Sequence, residues 1–231
     1  IGIGSRNSLL KEMTILDEQR SKIALKIGKE LLQMLSTQAY NTGLKNVETM
    51  QRHGDIIDGV IEFQNDTRLI VIGRNGKEHD GDFIALGSHI ETLLRKAAHP
   101  VLIISKKFTQ PSSFMIAYDG RETADKALQK VIDGGLLHGL HCHLVSVKNK
   151  EISLKEKFDS AKQRLESKGF KVTASFIEGD IHQSLMEYKK ANDIGLVVIG
   201  AFGHSKLRQF FIGSNTMKML ENSTIPLIVL R

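Results

Sequence analysis

The apolar positions of this chain change their period along its length. From Leu9 to Met34 they recur at Leu9, Met13, Leu16, Ile23, Ile27, Leu31 and Met34. Steps of three and four residues keep side chains on one stripe of a helix. A core or interface role is expected for that stripe and its Met13 and Met34. Beyond the midpoint the pattern alternates. Short, almost wholly apolar runs at Phe114–Tyr118, His143–Val147, Val172–Ile177, Leu196–Ile199 and Ile225–Leu230 predict strands. Between them, helical spacing covers Thr123–Asp133, Leu154–Lys168, His182–Asn192 and Asn215–Asn222, where Met217 and Met219 are expected to pack the last helix. Strands apolar on both parities are covered on both faces. Their alternation with helices predicts an α/β fold with a parallel sheet and crossover helices.

The same grammar occurs twice. The first half reads Gly43, "LKNVETMQRHGD", a helical stretch and "LIVIGRNG"; the second reads Gly169, "FKVTASFIEGD", a helical stretch and "LVVIGAFG". "GSHIETLLRKAAHPVLIIS" then answers "GSNTMKMLENSTIPLIVLR". Gly43 and Gly169, Gly87 and Gly213, and Pro100 and Pro226 are each 126 residues apart. One offset shared by so many features marks a tandem duplication. Lys106 to Ser113, "KKFTQPSS", reads as the linker. The expected domains are therefore residues 1–108 and 109–231, two tandem doubly wound parallel-sheet domains. The long helix of the first half has only about seven residues before it, where its counterpart follows a strand, a helix and another strand. The first domain thus lacks its initial β-α-β unit in this sequence, and an N-terminal segment outside it is expected.

Composition narrows the picture little. The 231 residues carry a net charge of +6, with 32 Lys and Arg against 26 Asp and Glu. The charges are interspersed, without a basic tail or an aromatic-basic stripe, so no specific nucleic-acid partner is expected. No apolar run approaches the ~20 residues that span a bilayer, and the start shows no signal-peptide pattern. The single cysteine, Cys142, suits a reducing, cytoplasmic setting.

The candidate chemistry lies in "VVIGAFGHSKLRQFFIGSN", Val197 to Asn215. An apolar strand ends at Gly200, and Gly203, Gly213 and Ser214 follow with the spacing G-x2-G-x9-G-S. Glycines let backbone N–H groups approach an anion without a Cβ between them. Ser214 stands where the next helix begins, so its hydroxyl and the helix N-terminus can face a phosphate. His204, Lys206 and Arg208 lie in the same loop. The spacing is neither a Walker A loop nor a Rossmann fingerprint. On spacing alone, a mobile surface loop before a capped helix explains it equally well.

These residues resemble the universal stress proteins in their tandem two-domain form, nucleotide-binding branch. The resemblance rests on Gly200, Gly203, Gly213 and Ser214, on "MIAYDG" opening the second domain and on the terminal strand "PLIVLR". It implies the adenine-nucleotide α-hydrolase-like fold, with ATP, and magnesium with it, in the second domain. Carried over residue by residue, it places Asp119 beside the adenosine and Val147 against adenine. Ile199 and Gly200 meet ribose and phosphate, and Gly203, Gly213, Ser214 and Asn215 form the phosphate cradle. Arg121 departs from the pattern, where the family often has a small serine; it reaches phosphate or crowds the pocket. The first domain's loop has one extra residue and carries Glu78, Asp80 and Asp82, which repel phosphate. It is expected to bind no ATP, or another ligand. The resemblance also implies an intrachain pseudo-dimer through the last strands, Val101–Ser105 and Ile225–Leu230, with homodimerisation as a further arrangement.

Other constellations have structural explanations. His138, His141, Cys142 and His143 are zinc-type ligands, but strand alternation sends neighbours to opposite faces. Asp55 and Asp180 each follow a glycine and precede a helix, as capping residues do. His204 has no evident orienting carboxylate, so no catalytic residue is assigned, and no metal site. The implied function is a cytoplasmic stress-response protein that binds ATP as a signalling module. The alternatives are a slow ATPase or nucleotide-processing enzyme on the same fold, or a scaffold binding a non-nucleotide ligand.

Overall fold

The computed structural model describes residues 3–74, 88–105, 108–148, 154–200, 218–220 and 223–230. The chain forms two compact units, Ile1–Asp55 and Ile56–Arg231. In the first, helix α1 runs over Ile3–Asn41. It ends in a Schellman turn, in which the amide of Leu44 donates to the Ala39 carbonyl and that of Gly43 to the Tyr40 carbonyl. The residues after it carry no regular structure up to the end of the unit. Met13 and Met34 are 53% and 52% exposed, and Leu9, Leu16, Ile23 and Ile27 are exposed as well. The core alternative expected for this stripe therefore does not hold.

The second unit begins with α2 (Ile56–Glu62), β1 (Ile70–Gly73), α3 (Ser88–Lys96) and β2 (Val101–Ile104). Then follow β3 (Ser113–Ala117), α4 (Glu122–Gly134), β4 (His141–Val147), α5 (Leu154–Ser167), β5 (Val172–Ile177), α6 (Ile181–Ala191), β6 (Leu196–Gly200) and β7 (Leu227–Leu230). The strands and helices of the second repeat thus stand where the apolar pattern predicts them, to within two residues at most ends. Of the last predicted helix, residues 218–220 are described and are helical. Helix α5 ends as α1 does. Phe170 donates to the Leu165 carbonyl and Gly169 to the Glu166 carbonyl. The matched glycines of the duplication therefore perform one task in both copies.

Among the described residues seven strands form one sheet in the order β1-β2-β7-β6-β3-β4-β5. Every neighbouring pair is parallel except β2 with β7, which run antiparallel with Val101 opposite Val229 and Ile103 opposite Leu227. Strands β3 to β7 come from the second repeat in the doubly wound arrangement, whose topological switch lies between β3 and β6. Strands β1 and β2 are the first repeat's counterparts of β6 and β7. The two last strands of the repeats therefore pair within one chain.

Strand alternation builds a core on each face. Met115, Val145, Val197, Ile199, Val101 and Val229 pack with α3 and α6 on one side. Phe114, Ile116, Leu144, Val198 and Ile228 pack with α4 and α5 on the other. Each fully buried side chain of this kind contributes about 1.5–3 kcal/mol. The resulting two-layer cover holds the carboxyl ends of β3, β4 and β6 side by side, and it is there that a site forms.

Candidate functional site

The residue after β3 continues its ladder, for the Tyr118 amide donates to the Val145 carbonyl at 2.9 Å. Asp119, Gly120 and Arg121 then turn the chain into α4. The Asp119 carboxylate accepts the Arg121 amide at 3.0 Å through Oδ1, and the Arg121 Nε lies 3.7 Å from Oδ2. Gly120 has φ +72°, and a Cβ on it would stand 2.6 Å from Leu154 Cδ1. Only glycine meets both conditions without strain. Lys157 of α5 closes the turn by donating to the Gly120 carbonyl at 3.0 Å. Below, the Tyr118 hydroxyl donates to Asp125 Oδ1 at 2.8 Å, and burial together with this bond raises its pKa. The turn is thus held from the strand, from α4 and from α5.

At the switch point this turn faces the end of β6. Asp119, Val147, Ile199 and Gly200 line one cavity of about 270 Å³. Its walls are apolar at Val145, Leu185 and Met219, and Asp119 and Arg121 are the charged groups among its described lining residues. The cavity is a mainly apolar slot with a carboxylate in its wall. Gly200 packs tightly here. A Cβ at that position would lie 3.0 Å from the Thr123 carbonyl oxygen and 3.2 Å from its carbon. The first turn of α4 rests directly on the strand end.

Four of the sequence-derived candidates therefore meet in one place. Gly203, His204, Lys206, Arg208, Gly213, Ser214 and Asn215 lie outside the described residues. Sequence reasoning missed Tyr118, Thr123, Ala124, Ile181, Leu185 and Met219 as lining residues. Ile181 and Leu185 stand four apart on α6, a helical spacing that marks a shared face, but nothing in it separates a face over a cavity from one over a core. A larger cavity of about 600 Å³ lies at Arg68, Pro100, Lys130, Leu137 and Ile228. It sits at the starts of β1 and β2 and the end of the antiparallel neighbour β7, away from the topological switch between β3 and β6 where doubly wound folds take ligands.

The histidine cluster does not converge. Cys142 is buried in the core beneath α4 and α5, where loss of solvation pushes its thiol up to about 12. His138 stacks on Phe170 with ring centroids 4.6 Å apart. His143 is buried on the other face, 3.0 Å through Nδ1 from the Tyr188 hydroxyl, which also lies 3.0 Å from the Ser175 hydroxyl. Among the described residues no three His, Cys, Asp or Glu side chains are grouped to hold a metal. Asp180 caps α6 by accepting the Gln183 amide at 3.0 Å, as expected.

The architecture defines a duplicated, doubly wound α/β protein with its cavity at the switch point. The universal stress protein family model matches residues 5–105 and again residues 112–231, and the chain belongs to that family. Universal stress protein Slr1230 of Synechocystis is 28% identical over 233 residues, which cover all of this chain and 81% of that protein. Universal stress protein MJ0577 of Methanocaldococcus jannaschii is 26% identical over 77 residues, 33% of this chain and 48% of that one. Among solved structures, a universal stress protein from Archaeoglobus fulgidus superposes with a TM-score of 0.70 at 20% identity, covering 94% of this chain and 78% of its own. No helix among the described residues is long and apolar enough to cross a membrane.

Proposed function

We propose that the second repeat, residues 109–231, binds ATP in the cavity at the carboxyl ends of β3, β4 and β6, and that the protein acts in the cytoplasm as a nucleotide-dependent signalling module of the stress response. The observation that carries this reading is the meeting of Asp119, Val147, Ile199 and Gly200, contributed by three strands, in one slot. The slot suits a purine. Val145, Val147, Ile199 and Leu185 offer apolar faces, and Asp119 offers acceptor oxygens to an amine or a ribose hydroxyl. The loop that follows Gly200, with Gly203, His204, Lys206, Arg208, Gly213, Ser214 and Asn215, is the cradle assigned to the phosphates. Magnesium would enter with the polyphosphate and keep most of its waters. The first repeat, residues 1–108, has Glu78, Asp80 and Asp82 in the corresponding loop and is assigned no ATP.

Isothermal titration of the whole chain with ATP tests the reading. Binding is expected, and Asp119→Asn should weaken it by about ten- to 150-fold, the cost of about 1.5–3 kcal/mol for a hydrogen bond to a charged acceptor. Absence of binding, or unchanged affinity in Asp119→Asn, would remove the site assignment. Multiple-turnover consumption of ATP would instead favour an enzyme on this fold.

A further inference from the structure

The cavity has a carboxylate in its wall, and a phosphorylated ligand bound there brings its negative charge near it. Like charges at short range repel, so an unscreened Asp119 would oppose a nucleotide while leaving a neutral nucleoside unaffected. The structure places one cation against that carboxylate. Arg121 engages both Asp119 oxygens, Oδ1 through its amide at 3.0 Å and Oδ2 through its guanidinium at 3.7 Å. The two side chains are 62% and 52% exposed. Arg121 therefore stands at the rim of the slot and does not fill it.

We propose that Arg121 is a specificity-determining residue: by neutralising Asp119 in the cavity wall, it removes the penalty the carboxylate would place on phosphorylated adenosine and so raises the site's preference for it relative to adenosine itself. The proposal rests on the nucleotide reading of this cavity. Its physical content is a matched charge pair. With Arg121 present, the described lining carries one negative and one positive group and is neutral toward an incoming phosphate. With Arg121 removed, the described lining keeps the carboxylate alone and its charge becomes negative. The backbone bond from residue 121 to Oδ1 survives substitution, so Asp119 keeps its place and only its charge is uncovered. Lys157 and Leu154 hold Gly120 whatever side chain follows it.

The test measures the affinity of the intact chain for adenosine, AMP and ATP in the wild type, Arg121→Gln, Arg121→Lys and the double variant Asp119→Asn/Arg121→Gln. Arg121→Gln should lower the AMP-to-adenosine affinity ratio by about two- to fivefold, the effect of one unscreened charge near the surface. Arg121→Lys, which keeps the charge, should hold the ratio near the wild-type value. The double variant should bind all three ligands more weakly but recover the wild-type ratio, since it has no charge left to screen. Added salt should narrow the Arg121→Gln effect. Equal losses for AMP and adenosine in Arg121→Gln would show a merely structural role and overturn the proposal. An unchanged ratio, or a double variant that fails to recover it, would also overturn it. A wild type that binds none of the three ligands would overturn both this proposal and the nucleotide reading, whereas wild-type binding with an unaltered ratio in Arg121→Gln would overturn this proposal alone.

Discussion

A methyl group at position 200 would stand 3.0 Å from the Thr123 carbonyl oxygen and 3.5 Å from the Ala124 amide nitrogen. Both belong to the first turn of α4, whose backbone yields less easily than a side chain. The sequence explains Gly200 by the room it leaves for a ligand, but the structure adds a demand that exists without any ligand. The two explanations differ in what they forecast. If packing governs, Gly200→Ala should destabilise the ligand-free protein by about 1–3 kcal/mol, the cost of an overfilled contact, read as a lower urea midpoint. If only the ligand needs the space, the ligand-free midpoint should not move and nucleotide affinity alone should fall. We expect the first outcome, with affinity falling as well because the displaced turn follows directly on Asp119 and Arg121. Arg121 illustrates the complementary case. Its residue type is visible in the sequence, yet its pairing with Asp119 depends on the tight turn at Gly120 and could be read only from the fold.

Among the elements, α6 is docked on the sheet by a polar contact within an otherwise apolar face. Its Tyr188 hydroxyl meets His143 of β4 and Ser175 of β5, each at 3.0 Å. Burial lowers the pKa of His143 below its usual 6.5, and the neighbouring His141 adds to the effect. The sign follows from this. The folded state resists the proton that the unfolded chain accepts, so stability is full above about pH 6.5 and is lost as the pH falls through the lowered pKa. Urea midpoints should therefore drop between pH 7.5 and pH 5. His143→Gln should flatten that dependence even if it costs stability at pH 7.5, and an unchanged slope would place the titration elsewhere. This contact also shows what was legible in advance. The apolar runs predicted the strands and helices of the second repeat because each run finds a neighbour there. They could not show which polar side chains meet across three elements. The first repeat was less readable for a related reason. Residues 44–53 correspond to β5, yet they form no strand and no described strand pairs with them, whereas β5 pairs with β4. A strand pattern without a partner strand leaves its backbone groups to water.

At the scale of the whole sheet, the two repeats meet at a single antiparallel seam, β2 against β7, inside an otherwise parallel array. Without that seam each repeat would end in an exposed edge strand, which is open to pairing with other chains. Val101 and Val229 face each other across it, and both lie in the core cluster that also holds Ile90, Leu93, Val145 and Ile199. One core thus extends from the first repeat's helix to the second repeat's cavity wall. Interactions across the seam should then be measurable as coupling. Val101→Ala and Val229→Ala should each cost on the order of 1–2 kcal/mol, from two buried methyl groups and the space they vacate. Together they should cost less than the sum by about 0.2–1 kcal/mol, the scale of a directly opposed cross-strand pair. Leu144 lies in the core on the opposite face, so Val101→Ala with Leu144→Ala should add within about 0.5 kcal/mol. Urea unfolding of the intact chain measures all three. Full additivity at Val101 and Val229 would mean that the strands lie together without sharing stability. A coupling in the expected range would mean that the first repeat helps to support the sheet on which the second repeat's cavity is built.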